Sequence, residues 1–106
     1  VIQCNLNHCK IAQDLLTQFE MEKNIGITII SEPYTVPSSM DWISTTNGNI
    51  AMHWNPQLVT SSGVIRQKGD YTLTVQWREF NIIACYFPPN LGDNEYTDFL
   101  DEMEDA

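Results

Sequence analysis

Three polar segments lie at the ends of apolar runs, where an α/β sheet presents its functional groups. Asn5-Leu6-Asn7 follows the short run from Ile2. Glu32 comes just after Ile27-Thr28-Ile29-Ile30, and Tyr86, followed by Pro88-Pro89-Asn90, lies in the last apolar run. A carboxylate at the end of a buried strand is costly unless it is paired, hydrogen-bonded or bound to a cation. Carboxylate and amide oxygens are the hard ligands that Mg²⁺ prefers. Taken singly, each residue also has a plainer reading: Asn7 as a helix N-cap, Glu32 as a loop carboxylate, Tyr86 as a strand aromatic.

The other candidates for chemistry are sparse. Of the two histidines, His8 reads as a first-turn helix residue and His53 as a strand residue. The three cysteines, Cys4, Cys9 and Cys85, form no Cys-x-x-Cys pair, and no His-x-x-x-His pair occurs. A structural zinc site is therefore disfavoured, and thiols buried among apolar side chains in a reducing compartment are expected. The 106 residues carry 14 acidic and 5 basic side chains, a net charge of −9. Half of the acids fall between Asp93 and Asp105, so the remainder of the chain is close to neutral. Such a surface does not hold nucleic acid by a basic patch alone. No apolar run reaches the roughly 20 residues of a membrane span, and the start lacks the pattern of a signal peptide. The chain reads as soluble, with no membrane partner.

The elements that must position these residues can be read from periodicity. Ile2 to Asn5 reads as a strand, and Asn7 as the N-cap of a helix whose apolar face is Ile11, Ala12, Leu15, Leu16 and Phe19. Gln13, Asp14, Gln18, Glu22 and Lys23 then fall on the outer side, and Gly26 supplies the left-handed stop. Ile27 to Ile30, uniformly apolar and β-branched, reads as a strand buried on both faces, giving a βαβ-like opening. A loop to about Asn49 precedes a strand from Ile50 to Trp54. Tyr71, Leu73, Val75 and Trp77 alternate with polar residues as in a half-buried strand. An Arg78-Glu79 turn leads into a strand from Phe80 to Phe87, with Trp77 facing Phe80. Tyr96, Phe99, Leu100 and Met103 mark a final amphipathic helix with an acidic outer face.

Taken in order, the motifs resemble a known family. Gln3-Cys4-Asn5-Leu6-Asn7, the helix, Ile29 to Tyr34 (Ile-Ile-Ser-Glu-Pro-Tyr) and Cys85 to Asn90 (Cys-Tyr-Phe-Pro-Pro-Asn) are similar to the endonuclease domain of non-LTR retrotransposons. That domain belongs to the endonuclease/exonuclease/phosphatase superfamily, with the AP endonucleases and DNase I. The Ser-Glu-Pro-Tyr and Tyr-x-Pro-Pro-Asn forms look most like arthropod LINE-type elements, in which one reading frame joins the endonuclease to a reverse transcriptase.

The resemblance implies an α/β fold: about half of a four-layer DNase I-like sandwich, with a mixed sheet and two covering helices. It matches Asn5 to the asparagine that positions the scissile phosphate, Glu32 to the principal Mg²⁺ ligand, and Asn7 to a neighbour of the metal site. It matches Tyr86 to the tyrosine whose hydroxyl meets a phosphate oxygen, and Tyr34 and Asn90 to phosphate or DNA contacts. Mg²⁺, or Mn²⁺ in its place, is the implied cofactor, DNA the partner of the intact domain, and the nucleus its setting. The family's later Gly-Asp-Phe-Asn and Ser-Asp-His segments do not occur in these 106 residues. The expectation is thus the N-terminal half, residues 1–106, of a nicking endonuclease domain, inactive alone. The alternative is a non-catalytic remnant or interaction module whose exposed sheet is covered by the other half, by a protein partner or by self-association.

Overall fold

A computed structural model gives the fold and describes residues 1–59, 63–78, 81–88 and 92–105. The elements are β1 (Ile2–Asn5), α1 (Lys10–Lys23), β2 (Ile27–Ser31), β3 (Trp42–Ser44), β4 (Ile50–Trp54), β5 (Val64–Lys68), β6 (Thr72–Gln76), β7 (Asn81–Cys85) and α2 (Asp93–Asp105). They form a four-stranded mixed sheet in the order β1-β2-β4-β3 and a three-stranded antiparallel sheet in the order β5-β6-β7. β1 and β2 run parallel, with Asn5 beside Ser31, as a strand-helix-strand unit requires. β2 then pairs antiparallel with β4, and β4 with β3.

Side-chain alternation divides the first sheet between two partners. Ile27, Ile50, Met52 and Trp54 meet Leu73, Val75, Trp77 and Ala84 of the second sheet in the main core. The opposite face, with Ile30 and Ala51, packs with Leu6 against Ala12 and Leu16 on α1. Trp54 and Trp77 meet edge to face across the sheets, with centroids 5.9 Å apart. The final helix is attached by an aromatic cluster: Phe87 lies 5.0 Å from Phe99 and 5.3 Å from Tyr96. Glu102 fixes it further, its Oε1 accepting from the Tyr71 and Thr72 amides and the Thr72 hydroxyl at 2.7–2.9 Å. Part of the acidic run is therefore an anchor, since Glu102 ties α2 to the start of β6.

The α/β class, the mixed sheet and the strands at Ile2, Ile27, Ile50, Thr72 and Asn81 are as the sequence predicts. Several details differ. α1 is capped by Cys9, with no side-chain cap bond, because Asn7 is occupied in the preceding turn. Asn24, at φ 53°, takes the left-handed stop expected of Gly26. The inner face of α1 is partly polar: Gln13 and Glu20 are buried, whereas Ile11, Leu15 and Phe19 are 71%, 61% and 43% exposed. The surfaces beneath the helix offer Thr28, His53 and free loop amides, so polar side chains find partners there. β6 is buried on both faces from Thr72 to Val75, where alternation predicts a half-buried strand: Leu73 and Val75 pack on the first sheet, and Glu102 of α2 covers Thr72 on the other face. β3 replaces part of a stretch read as loop, and β5 lies in a stretch to which the sequence pattern assigns no element. The β6–β7 pairing of Gln76 with Asn81 is the register that an Arg78-Glu79 turn would give; Glu79 and Phe80 lie outside the described residues. The cysteines are not buried thiols: Cys9 and Cys85 are exposed and Cys4 is half-buried, with burial as the main cause raising its pKa.

Candidate active site at the strand ends

β1, β2 and β7 end close together, and each delivers one polar side chain to the junction. Tyr86, the residue after β7, donates its hydroxyl proton to Glu32 Oε1 at 2.5 Å. This bond joins the two sheets, since Glu32 follows β2 of the first sheet and Tyr86 follows β7 of the second. Its charge-assisted character is seen in the tyrosine, whose pKa rises chiefly through the hydrogen bond to Glu32, with desolvation and the Glu32 charge adding. The Asn5 amide, beside the same hydroxyl, opposes that rise. Tyr86 therefore remains a proton donor at neutral pH.

The backbone around the junction is held in an uncommon conformation. Asn7, His8 and Glu32 have φ of 49°, 55° and 50°, the left-handed region that non-glycine residues seldom adopt. Asparagine tolerates this region; histidine and glutamate do so at a cost of order 1 kcal/mol or more each. Their hydrogen bonds explain why they stay there. The Asn7 amide donates to Asn5 Oδ1 at 2.8 Å, closing an Asx turn directly after β1. The His8 amide donates to the Glu32 carbonyl at 2.8 Å, and the Glu32 amide to the Asn49 carbonyl at 2.8 Å. The two left-handed turns are thus tied to each other, and Glu32 is aimed away from the path of its strand.

The loop after Glu32 is fixed from α1. Gln13 donates through Nε2 to the Thr35 carbonyl at 2.8 Å and accepts from the Tyr34 and Thr35 amides at 2.8 and 3.2 Å. The His8 ring donates from Nδ1 to the Pro33 carbonyl at 3.1 Å. Both are positioning residues that periodicity alone conceals; His8 sits at the junction and precedes the helix in which the sequence places it. Tyr34 is half exposed, and its side chain makes no hydrogen bond to Glu32 or Tyr86 among the described residues. Asn90 lies outside the described residues.

The structure thus brings together Asn5, Asn7, Glu32 and Tyr86, which stand up to 81 positions apart in sequence (Asn5 to Tyr86). Among the described residues no three His, Cys, Asp or Glu side chains cluster so as to hold a metal ion. What the junction offers is one carboxylate, with Oε2 of Glu32 unbonded among the described residues, beside the amide side chain of Asn5. Such an oxygen set fits Mg²⁺, which keeps several waters and takes one or two carboxylates plus substrate phosphate. It does not suit a softer transition metal.

No protein-family model and no curated protein matches the sequence. Among solved structures the chain is similar to the endonuclease domain of TRAS1, a telomere-specific non-LTR retrotransposon. The TM-score is 0.67 at 18% sequence identity, over 98% of this chain and 52% of that one. The likeness is one of fold: an α/β, DNase I-like architecture, of which this chain spans about half the length of the matched domain.

Proposed function

We propose that this chain is the N-terminal half of a Mg²⁺-dependent endonuclease domain of non-LTR retrotransposon type, nicking target DNA in the nucleus to prime reverse transcription. The observation that carries the reading is the Tyr86–Glu32 bond: it links the two sheets at the strand ends and leaves one glutamate oxygen unbonded. The likeness in fold to a retrotransposon endonuclease domain supports it.

In this reading Glu32, with the Asn5 and Asn7 amides nearby, holds Mg²⁺ or Mn²⁺. The bound ion supplies Lewis-acid stabilisation of charge on the phosphate and activation of a water. Tyr86 holds the Glu32 carboxylate in one rotamer through its single hydroxyl proton, which would turn to a phosphate oxygen once Glu32 binds the cation. The Asn5 side chain, immobilised by its Asx turn, orients the phosphate beside it. Tyr34 and Asn90 are proposed as outer phosphate or DNA contacts. A net charge of −9 does not preclude this, because half of the acids lie in or beside α2 and the cation brings the local positive charge.

The general base and its partner would come from the other half of the domain, so the chain alone is proposed to be inactive. The test is a supercoiled-plasmid nicking assay with Mg²⁺. The chain joined to a complementary C-terminal half nicks, its Glu32→Ala variant nicks at least ~100-fold more slowly, and the chain by itself does not nick. Undiminished nicking by Glu32→Ala would overturn the proposal.

A further inference from the structure

Glu32 and Tyr86 belong to different sheets, so the bond between them depends on how the strand ends of the two sheets are spaced. A second hydrogen bond spans the sheets at the same end. Asn47, in the turn between β3 and β4, donates from Nδ2 to the Asp70 carbonyl, in the turn between β5 and β6, at 2.9 Å. Its Oδ1 accepts from the Thr45 hydroxyl at 2.7 Å and from the Asn49 amide at 3.1 Å. Two donors on the oxygen and one acceptor on the nitrogen fix which way round the side-chain amide lies. Gly48, at φ 75°, turns the chain between Asn47 and Asn49 in a conformation that glycine adopts without strain.

These contacts close a circuit through the Glu32–Tyr86 junction. One arm runs from Asn47 to the backbone of Asn49, whose carbonyl accepts from the Glu32 amide at 2.8 Å. The other runs through Asp70 to its neighbour Tyr71, whose carbonyl accepts from the Tyr86 amide at 2.9 Å. The Tyr86 hydroxyl on Glu32 Oε1 joins the two arms. A lone bond between two sheets is a pivot, whereas two bonds at separate points resist rotation of one strand end past the other. Asn47 makes no hydrogen bond to Glu32 or Tyr86 among the described residues, so any influence on them passes through the two turns.

We infer that Asn47 is a positioning residue: by tying the β3–β4 turn to the β5–β6 turn it sets the spacing of Glu32 and Tyr86. Its consequence for a bound cation rests on the proposed endonuclease reading. Mg²⁺ demands near-octahedral geometry, so a carboxylate held loosely binds it less well, and small displacements at a reacting centre are costly. The competing role is a local one, in which Asn47 shapes its own turn through Oδ1 and the bond to Asp70 is incidental.

The experiment compares the 106-residue chain with Asn47→Ser and Asn47→Ala. Serine keeps an oxygen that closes the local turn but is too short to reach Asp70; alanine keeps neither contact. Two quantities are read: the ¹³Cζ resonance of Tyr86, which reports its bond to Glu32 without any metal, and Mn²⁺ affinity from paramagnetic broadening. Both variants should move the Tyr86 resonance toward its position in Glu32→Ala, which lacks the bond. Both should weaken Mn²⁺ binding about threefold or more, short of the ~10-fold typical when a direct partner of a metal ligand is lost. Urea midpoints should stay close to that of the parent, because Asn47 is exposed. A parent-like Tyr86 resonance in Asn47→Ser would overturn the inference and leave Asn47 the local role. A Tyr86 shift in both variants, with no Mn²⁺ binding by the parent chain, would uphold the spacing role and overturn the cation reading instead.

Discussion

Replacing Gln13 by Ala removes the side chain that ties α1 to the loop after Glu32. Helical periodicity puts Gln13 on the outer face of α1, where the change would be neutral or stabilising by a few tenths of a kcal/mol. In the structure the side chain is 7% exposed and makes three hydrogen bonds to the Tyr34–Thr35 backbone. At about 1 kcal/mol net for each bond, their loss costs about 3 kcal/mol. Tyr34 and Thr35 are themselves exposed, so water replaces part of this. The better helix propensity of Ala offsets a little more, and the expected destabilisation is about 2 kcal/mol. For a domain of this size that lowers Tm by roughly 8–16 °C. Urea unfolding and calorimetry of Gln13→Ala against the parent chain measure it. The same loop follows Glu32, so amide shifts should spread to Glu32 and His8. A destabilisation below about 0.5 kcal/mol, the range typical of surface changes, would refute the placement of Gln13 and the positioning role assigned to it.

Other consequences follow from particular contacts. His53 titrates above its ordinary value of 6.5: burial, the largest single influence, pushes it down, and the hydrogen bonds and charges of Glu20 and then Asp41 more than offset this. A raised folded-state pKa gives stability that is full below the unfolded value and lost as pH rises through the folded one. Denaturant midpoints should therefore fall on going from about pH 6 toward alkaline pH, and His53→Gln should flatten that slope. Glu102→Ala removes three bonds to Tyr71 and Thr72. It should cost about 2 kcal/mol and speed amide exchange in α2 before the β6 core opens. Leu15 is 61% exposed, so Leu15→Lys should change stability by less than about 0.5 kcal/mol while improving solubility, as unfolding and light-scattering measurements would show.

Much of the fold was legible because its strongest signals are local. The uniform run at Ile27 and the alternation after Tyr71 marked strands through burial, and Tyr96 to Met103 marked a helix through period. β3 was hidden because Trp42-Ile43-Ser44 is three residues long within a Pro- and Ser-rich segment. β5 was hidden because Val64-Ile65-Arg66-Gln67-Lys68 is an exposed edge strand with a register shift between Ile65 and Gln67, so it shows no clean alternation. The inner face of α1 was misread for a different reason: periodicity assumes that a helix buries apolar residues, and here the surfaces beneath present hydrogen-bonding groups. The convergence of Asn5, Glu32 and Tyr86 could be anticipated from strand ends and motif order. The Glu20–His53–Asp41 cluster could not, because its members lie on α1, on β4 and just before β3 and meet only when the helix packs on the sheet, across 33 and 12 positions.

Binding of a divalent cation at the Glu32–Tyr86 junction, as proposed, is read out by adding Mn²⁺ to the isotopically labelled chain and observing paramagnetic broadening. This works on the chain alone and requires no catalysis. Selective broadening of Asn5, Asn7, Glu32 and Tyr86 is expected at substoichiometric Mn²⁺, reversed by excess Mg²⁺ and abolished in Glu32→Gln. Broadening confined to the acidic face of α2, or unchanged by Glu32→Gln, would contradict it.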